Sequence, residues 1–182
     1  MNTVACGGTY YRVCDPGWTD PLDTSFAKKS GGRWNPPGVF GAIYLNKTRD
    51  VAAANARRQF EGEIATLYDL QPDQQPDLVT AMVDEALAVD VVSAEGIATL
   101  RLPASYPVGV MHERCHEIAE LAYTDENVAG VACRSNAEAT ETSIVGEELA
   151  VFDRSSGIVH RGDRVPFGHW YPTEVGGSPS TT

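Results

Sequence analysis

Apolar residues in this chain recur with two different periods, and the switches between them mark its elements. Thr9–Val13 (TYYRV) and Gly41–Asn46 (GAIYLN) are short runs of aromatic and branched residues bounded by Gly, Pro, Asn and Asp, the pattern of strands. Cys14–Asp23, with Asp15-Pro16-Gly17 and Asp20-Pro21, leaves the first of them as a loop. The period changes in Asp50–Phe60 (DVAAANARRQF), where Ala52, Ala56 and Phe60 fall on one stripe at helical spacing and Asp50 suits the positive end of a helix. Asn55 lies off that stripe, on the side shared with Val51, Arg58 and Gln59. Glu61–Leu70 reads as a further strand, followed by the polar, proline-marked connection QPDQQPD.

The second half repeats the alternation less regularly. Leu78–Val83 and Ala86–Val92 predict two strands, the second ending at Ser93, which caps a short helix through Leu100 that Pro103 terminates. Met111–Tyr123 repeats Met111, Cys115, Ile118 and Ala122 at helical spacing. Gly130–Cys133 and Glu148–Phe152 predict short strands separated by the polar stretch Arg134–Thr142. Several neighbouring strands lack a helix between them, which favours an α+β fold with a mixed or antiparallel sheet over a doubly wound parallel one. With 182 residues, the chain is expected to form one domain over 1–175, and the Gly/Ser/Pro-rich tail 176–182 to be disordered.

Composition narrows the function. A formal charge of -11, from 25 acidic and 14 basic residues, argues against broad binding to nucleic acid or anionic lipid. A basic partner, or a small ligand held by a few arginines, fits better. No apolar run approaches the roughly 20 residues of a membrane-spanning helix, and the first ten residues lack a secretory pattern, so the expected location is the cytoplasm. Cys6, Cys14, Cys115 and Cys133 show no CxxC spacing and are expected to be buried, reduced thiols.

Two stretches carry candidate chemistry. In Gly31–Leu45 (GGRWNPPGVFGAIYL) two glycines allow close approach of the backbone to a ligand, and Pro36-Pro37 stiffens the turn that follows Arg33. An arginine on so constrained a loop suits a phosphate or carboxylate, which its planar fork can pair through two hydrogen bonds. The same residues also fit a plain strand-to-strand turn with Arg33 as a surface charge. The second stretch, His112-Glu113-Arg114-Cys115-His116, matches HExxH, which on a helix offers two imidazoles to zinc and a glutamate as base. Its third ligand is open among Glu120, Glu138 and Glu141, and the competing reading is an amphipathic helix with two partly exposed histidines. Trp34, Trp170 and Tyr171 read as core or pocket aromatics, with core favoured, and Arg57-Arg58 as a solvated helix face.

Taken together, Tyr11-Arg12, Gly31–Gly38 (GGRWNPPG), Tyr44-Leu45, the alanine-rich segment, ALAVDVVSAEGIATLRLP and the late Arg134-Ser135 make the chain resemble the RES-domain family across about Tyr10–Asp153. The resemblance implies an ADP-ribosyltransferase-like fold, NAD as substrate, and a toxin that consumes NAD or transfers its ADP-ribose. It also implies a helix-turn-helix antitoxin as partner. Its matched positions make Arg12, Arg33, Trp34, Asn35, Tyr44, Arg134 and Ser135 the expected nucleotide-binding residues, and Arg33, Tyr44, Asn55 and Ser135 the expected catalytic ones. On this reading Arg33 holds the pyrophosphate, Tyr44 offers a ring face to nicotinamide, and Ser135 bonds ribose or orients a neighbour.

The chain departs from the family pattern on its alanine-rich helix. The family's glutamate is expected there, and the aligned residue is Asn55, which supplies no negative charge to an oxocarbenium-like transition state. Either another carboxylate such as Glu141 reaches the site from elsewhere, or the chain binds nucleotide with little turnover. Asn55→Glu is expected to raise activity if Asn55 occupies the glutamate's place.

Overall fold

The computed structural model describes residues 1–137, 139 and 146–171. Its elements are β1 (Thr3–Cys14), α1 (Ser25–Ser30), β2 (Ala42–Asn46), α2 (Arg49–Arg58), β3 (Asp77–Val91), α3 (Ala94–Thr99), α4 (His112–Tyr123), β4 (Val128–Arg134), β5 (Glu147–Phe152), β6 (Ile158–Val165) and α5 (Phe167–Trp170). The strands lie in the order β1-β2-β5-β4-β3-β6, and β1 also pairs with β3, so five strands form a ring that β6 extends from β3. Among the described residues β3 and β4 pair in parallel and the other ladders are antiparallel, which makes the sheet mixed and the fold α+β, as the strand pattern predicts. Glu138, Glu141 and the 176–182 tail fall outside the described residues, as does part of the Arg134–Thr142 connection.

β3 holds the ring together. Its first half pairs with β6 through Leu78–Val83 and its second half with β4 through Leu87–Val91, while β1 runs along nearly its whole length. The sequence pattern splits this single strand in two because Asp84 and Glu85 are exposed charges in its middle. β1 likewise begins earlier than Thr9, since the register slips between Cys6 and Gly8, and Gly8 takes a φ of 90° that suits a glycine-bearing bulge. β6 was not predicted because it is a polar strand (IVHRGDRV) with no fully buried residue. The expected strand over Glu61–Leu70 does not form. Turns lead instead to a 3₁₀ helix at Leu67–Asp69, fixed by a capping box in which Thr66 and Asp69 bond each other's backbone N–H.

Alternation along β2 sorts the core into two faces. Ile43 and Leu45 point to a cluster with Leu149, Val151 and Ala81, whereas Tyr44 faces the cluster of Trp34, Phe40, Val131, Cys133 and Phe152. α4 covers the second cluster with Cys115, Ile118, Ala119 and Ala122, while Met111 at its N-cap stays 69% exposed, outside the stripe its spacing suggests. Each large side chain buried there contributes roughly 1.5–3 kcal/mol. The alanine stripe of α2 packs Ala52, Ala53 and Ala56 against Leu67, Leu78, Phe167 and Trp170, with Phe60 at its margin. Close packing on that side leaves the Asn55 face of the helix turned elsewhere. All four cysteines are buried and unpaired. Among the described residues no helix is long and apolar enough to cross a membrane.

Candidate active site

Two adjoining cavities of about 480 and 470 Å³ share Arg12, Tyr44, Arg58 and Glu148, and so form one cleft. β1 contributes Arg12, the loop before β2 contributes Arg33, β2 contributes Tyr44 and Asn46, and α2 contributes Asn55, Arg58 and Gln59. Arg134 and Asn136 enter from the end of β4, Glu148 from β5, and His112 from the start of α4. Four arginines, Arg12, Arg33, Arg58 and Arg134, line this cleft in a chain of charge -11, against one acid among the described residues, Glu148. Its local field is therefore opposite in sign to that of the whole chain, which favours an anionic ligand.

The arginines differ in how they are used. Arg134 is tied down, with Nε donating to the Val92 carbonyl at 2.8 Å and Nη1 to the Tyr106 carbonyl at 3.2 Å. Arg33 Nη2 and Arg58 Nη1 both donate to the amide oxygen of Asn136, at 2.7 and 2.8 Å, an orientation of the amide assigned from these bonds. Arg33 Nη1 and Arg12 Nη1 are buried and have no partner among the described residues. Burial lowers the Arg12 pKa, with Asp20 and Asp23 among the charges opposing that shift, and its guanidinium lies 5.3 Å from the centre of the Trp18 ring.

The glycine loop is clamped from several sides. Tyr44 Oη accepts from the Trp34 N–H at 2.7 Å and donates to Asn35 Oδ1 at 2.8 Å. Asn35 in turn donates to the carbonyls of Ala27 and Phe40 at 2.7 and 3.2 Å, so this fully buried amide is satisfied. A Cβ at Gly32 would stand 2.5 Å from Tyr44 Oη, which is why glycine is needed there. Burial raises the Tyr44 pKa, and the ring keeps its proton at neutral pH.

The residues expected from sequence therefore divide. Arg12, Arg33, Tyr44, Asn55 and Arg134 line the cleft. Trp34, Asn35 and Ser135 are fully buried behind it: Trp34 packs near Tyr106, and Ser135 Oγ accepts from the Ala137 N–H at 3.2 Å. Sequence reasoning missed Arg58, Asn136 and Glu148 as site residues. Glu148 is carried into the cleft by register, since Asn46 on β2 stands opposite Glu148 on β5 and both share the face of Tyr44. Asn55 Nδ2 donates to Glu148 Oε1 and to Asn46 Oδ1, each at 2.8 Å, and Asn46 Nδ2 reaches the Tyr11 carbonyl at 3.0 Å.

The HExxH histidines take other work. His116 Nε2 lies 2.7 Å from the Gly32 carbonyl, which only accepts, so that nitrogen carries the proton and straps α4 to the glycine loop. His112 lines the cleft, and partial burial followed by the charge of Arg33 lowers its pKa. Among the described residues no group of three His, Cys, Asp or Glu gathers to hold a metal ion.

Comparison with known proteins agrees with this architecture. A family model described as RES domain matches residues 9–167. The fold is similar to a chain in the crystal structure of the M. tuberculosis MbcT-MbcA toxin-antitoxin complex, with a TM-score of 0.73 and 22% identity over 90% of this chain and 86% of that chain. No curated protein matches the sequence.

Proposed function

Because the chain belongs to the RES domain family, we propose that its cleft takes NAD as substrate and breaks the bond between nicotinamide and ribose, as an NAD glycohydrolase or ADP-ribosyltransferase with a toxin's role. The observation that carries this reading is that Arg12 and Arg33 line one cleft, each keeping a buried guanidinium nitrogen without a partner, beside one carboxylate among the described residues. Two such donors match the doubly charged pyrophosphate of a dinucleotide, where charge-assisted hydrogen bonds are strongest. Tyr44 presents its ring to the nicotinamide end, and Arg58 and Asn136 close the phosphate side. Trp34, Asn35 and Ser135 act by positioning Arg33, Tyr44 and the Arg134–Asn136 turn. The substrate brings its own leaving group, so the protein has only to orient NAD and stabilise the developing ribosyl cation.

Nicotinamide release from NAD by the purified protein tests the proposal, with the melting temperature followed alongside. Release together with an NAD-dependent rise in melting temperature supports it. No release and no rise would refute it. A rise without release favours a second reading, a nucleotide-binding member with little turnover, for which the observation is Asn55 at the position where an acid is expected. The toxin-antitoxin neighbour supports extending the proposal to a toxin with an antitoxin partner; the expectations from sequence add a cytoplasmic location and a helix-turn-helix antitoxin, which co-purification with such a protein encoded beside it would test.

A further inference from the structure

We propose that Glu148 supplies the carboxylate of this reaction and that Asn55 is the positioning residue that aims it. The inference rests on the NAD reading and deepens it. Three observations carry it. Glu148 is the only acid among the described residues lining either cavity, and it lines both. It projects from the same sheet face as Tyr44, two residues along in the register from the pair Tyr44↔Ala150. Its Oε1 accepts a 2.8 Å hydrogen bond from Asn55, the residue standing where the family resemblance places a glutamate.

The negative charge is thus still present at the alanine-rich helix, but it reaches that spot from β5. Asn55 uses both N–H groups of its amide, one on Glu148 and one on Asn46, and Asn46 is itself anchored to the Tyr11 carbonyl. An amide that donates to a carboxylate oxygen fixes the direction in which the carboxylate points. A glutamate at position 55 could not serve in this way, because two ionised carboxylates would then share one site.

The chemistry balances with water as the second reactant. The bond between ribose C1′ and the nicotinamide nitrogen breaks, its electron pair leaves with neutral nicotinamide, and the ribosyl cation faces the Glu148 carboxylate. A water oxygen bonds to C1′ while Glu148 takes one of its protons and later releases it to solvent, giving ADP-ribose, nicotinamide and a proton. In a transferase the acceptor's nucleophilic atom replaces that water.

Glu148→Gln is the test, since the amide keeps the shape and the acceptor for Asn55 but lacks the charge. Nicotinamide release is measured for wild type and variant, with circular dichroism and the NAD-dependent shift in melting temperature as controls; Glu148→Asp is made in parallel. The expected result is a folded Glu148→Gln protein that still shows the NAD-dependent shift but releases nicotinamide at least about a hundredfold more slowly. Glu148→Asp is expected to recover part of that loss. Turnover within threefold of wild type in Glu148→Gln overturns the role of Glu148 and leaves the NAD reading standing. A wild type that neither releases nicotinamide nor is stabilised by NAD overturns both. Should Glu148→Gln fail to fold, the decision falls on Glu148→Asp: a folded aspartate variant slowed at least tenfold with its NAD shift retained supports the role, and one at wild-type rate overturns it.

Discussion

Asn55 and Glu148, 93 residues apart in sequence, meet at 2.8 Å inside the cleft. With Glu148 as the proposed carboxylate, this contact turns an expectation drawn from the sequence into its opposite. Asn55→Glu would not restore a missing acid but would set a second carboxylate against Glu148. One of the two pKa values would then be raised above its unfolded value. For a carboxylate raised in the fold, the unfolded state is the more readily ionised, so stability is lost as pH rises past the unfolded pKa and recovered in acid. Each unit of upward shift costs about 1.4 kcal/mol at neutral pH. Asn55→Glu is therefore expected to unfold more easily at pH 7 than at pH 4.5 relative to wild type, and to turn over less NAD, as urea titrations at the two pH values and a nicotinamide assay will show. Higher activity in Asn55→Glu would contradict this account.

Arg33 is expected to dominate ligand affinity. Removing a charge-assisted donor from a buried site costs about 2 kcal/mol, or roughly thirtyfold in Kd. Arg33→Ala should weaken binding of ADP-ribose by that order in a calorimetric titration. Arg33→Lys should recover little, because a lysine lacks the fork that reaches Asn136 and a phosphate oxygen together.

Tyr44 carries a structural duty separable from its place in the cleft. Tyr44→Phe strips the acceptor from the Trp34 N–H and the donor from Asn35 Oδ1, both on buried residues. The expected loss is about 2–3 kcal/mol of unfolding free energy, read from the urea midpoint at unchanged slope. Gly32→Ala attacks the same clamp by crowding, since its methyl would sit 2.5 Å from Tyr44 Oη, and should cost about 1–3 kcal/mol.

His112 makes binding depend on pH. Partial burial, then Arg33 and His116, lower its pKa, so at pH 7 the ring in the free protein is neutral. Lowering the pH adds a proton and a positive charge to the cleft wall, which strengthens attraction for an anion. ADP-ribose affinity is therefore expected to rise from pH 8 to pH 5.5, and to rise less in His112→Gln. An identical pH dependence in both proteins would remove His112 from the account.

How much of this was legible in the sequence follows from how local each feature is. The glycine loop, Tyr44 and the Asn55 face of α2 are written in contiguous residues, and the strand-and-helix pattern was enough for a mixed α+β sheet. Glu148 was visible only as the first residue of a strand. What makes it a site residue is its pairing with Asn46, a long-range register that no run of neighbouring residues encodes. Trp34 and Asn35 share the loop of Arg33 yet are fully buried, Trp34 beside the distant Tyr106 and Asn35 on the carbonyls of Ala27 and Phe40, contacts that the composition of the loop does not reveal. The false strand at Glu61–Leu70 arose from an apolar pattern whose Ile64 is fully exposed, where the Thr66–Asp69 capping box decided the local conformation.

The hold on the glycine loop has a further consequence. Tyr44 grips Trp34, His116 grips Gly32, Asn35 reaches α1 through Ala27, and the Gly38 N–H donates to the Lys28 carbonyl at 2.7 Å. Arg33 is thus mounted on a backbone already fixed before any ligand arrives. The entropy lost in ordering that segment is charged to folding, so association with an anion need not include it, and changes that loosen the loop far from the cleft should weaken affinity without removing a single ligand contact.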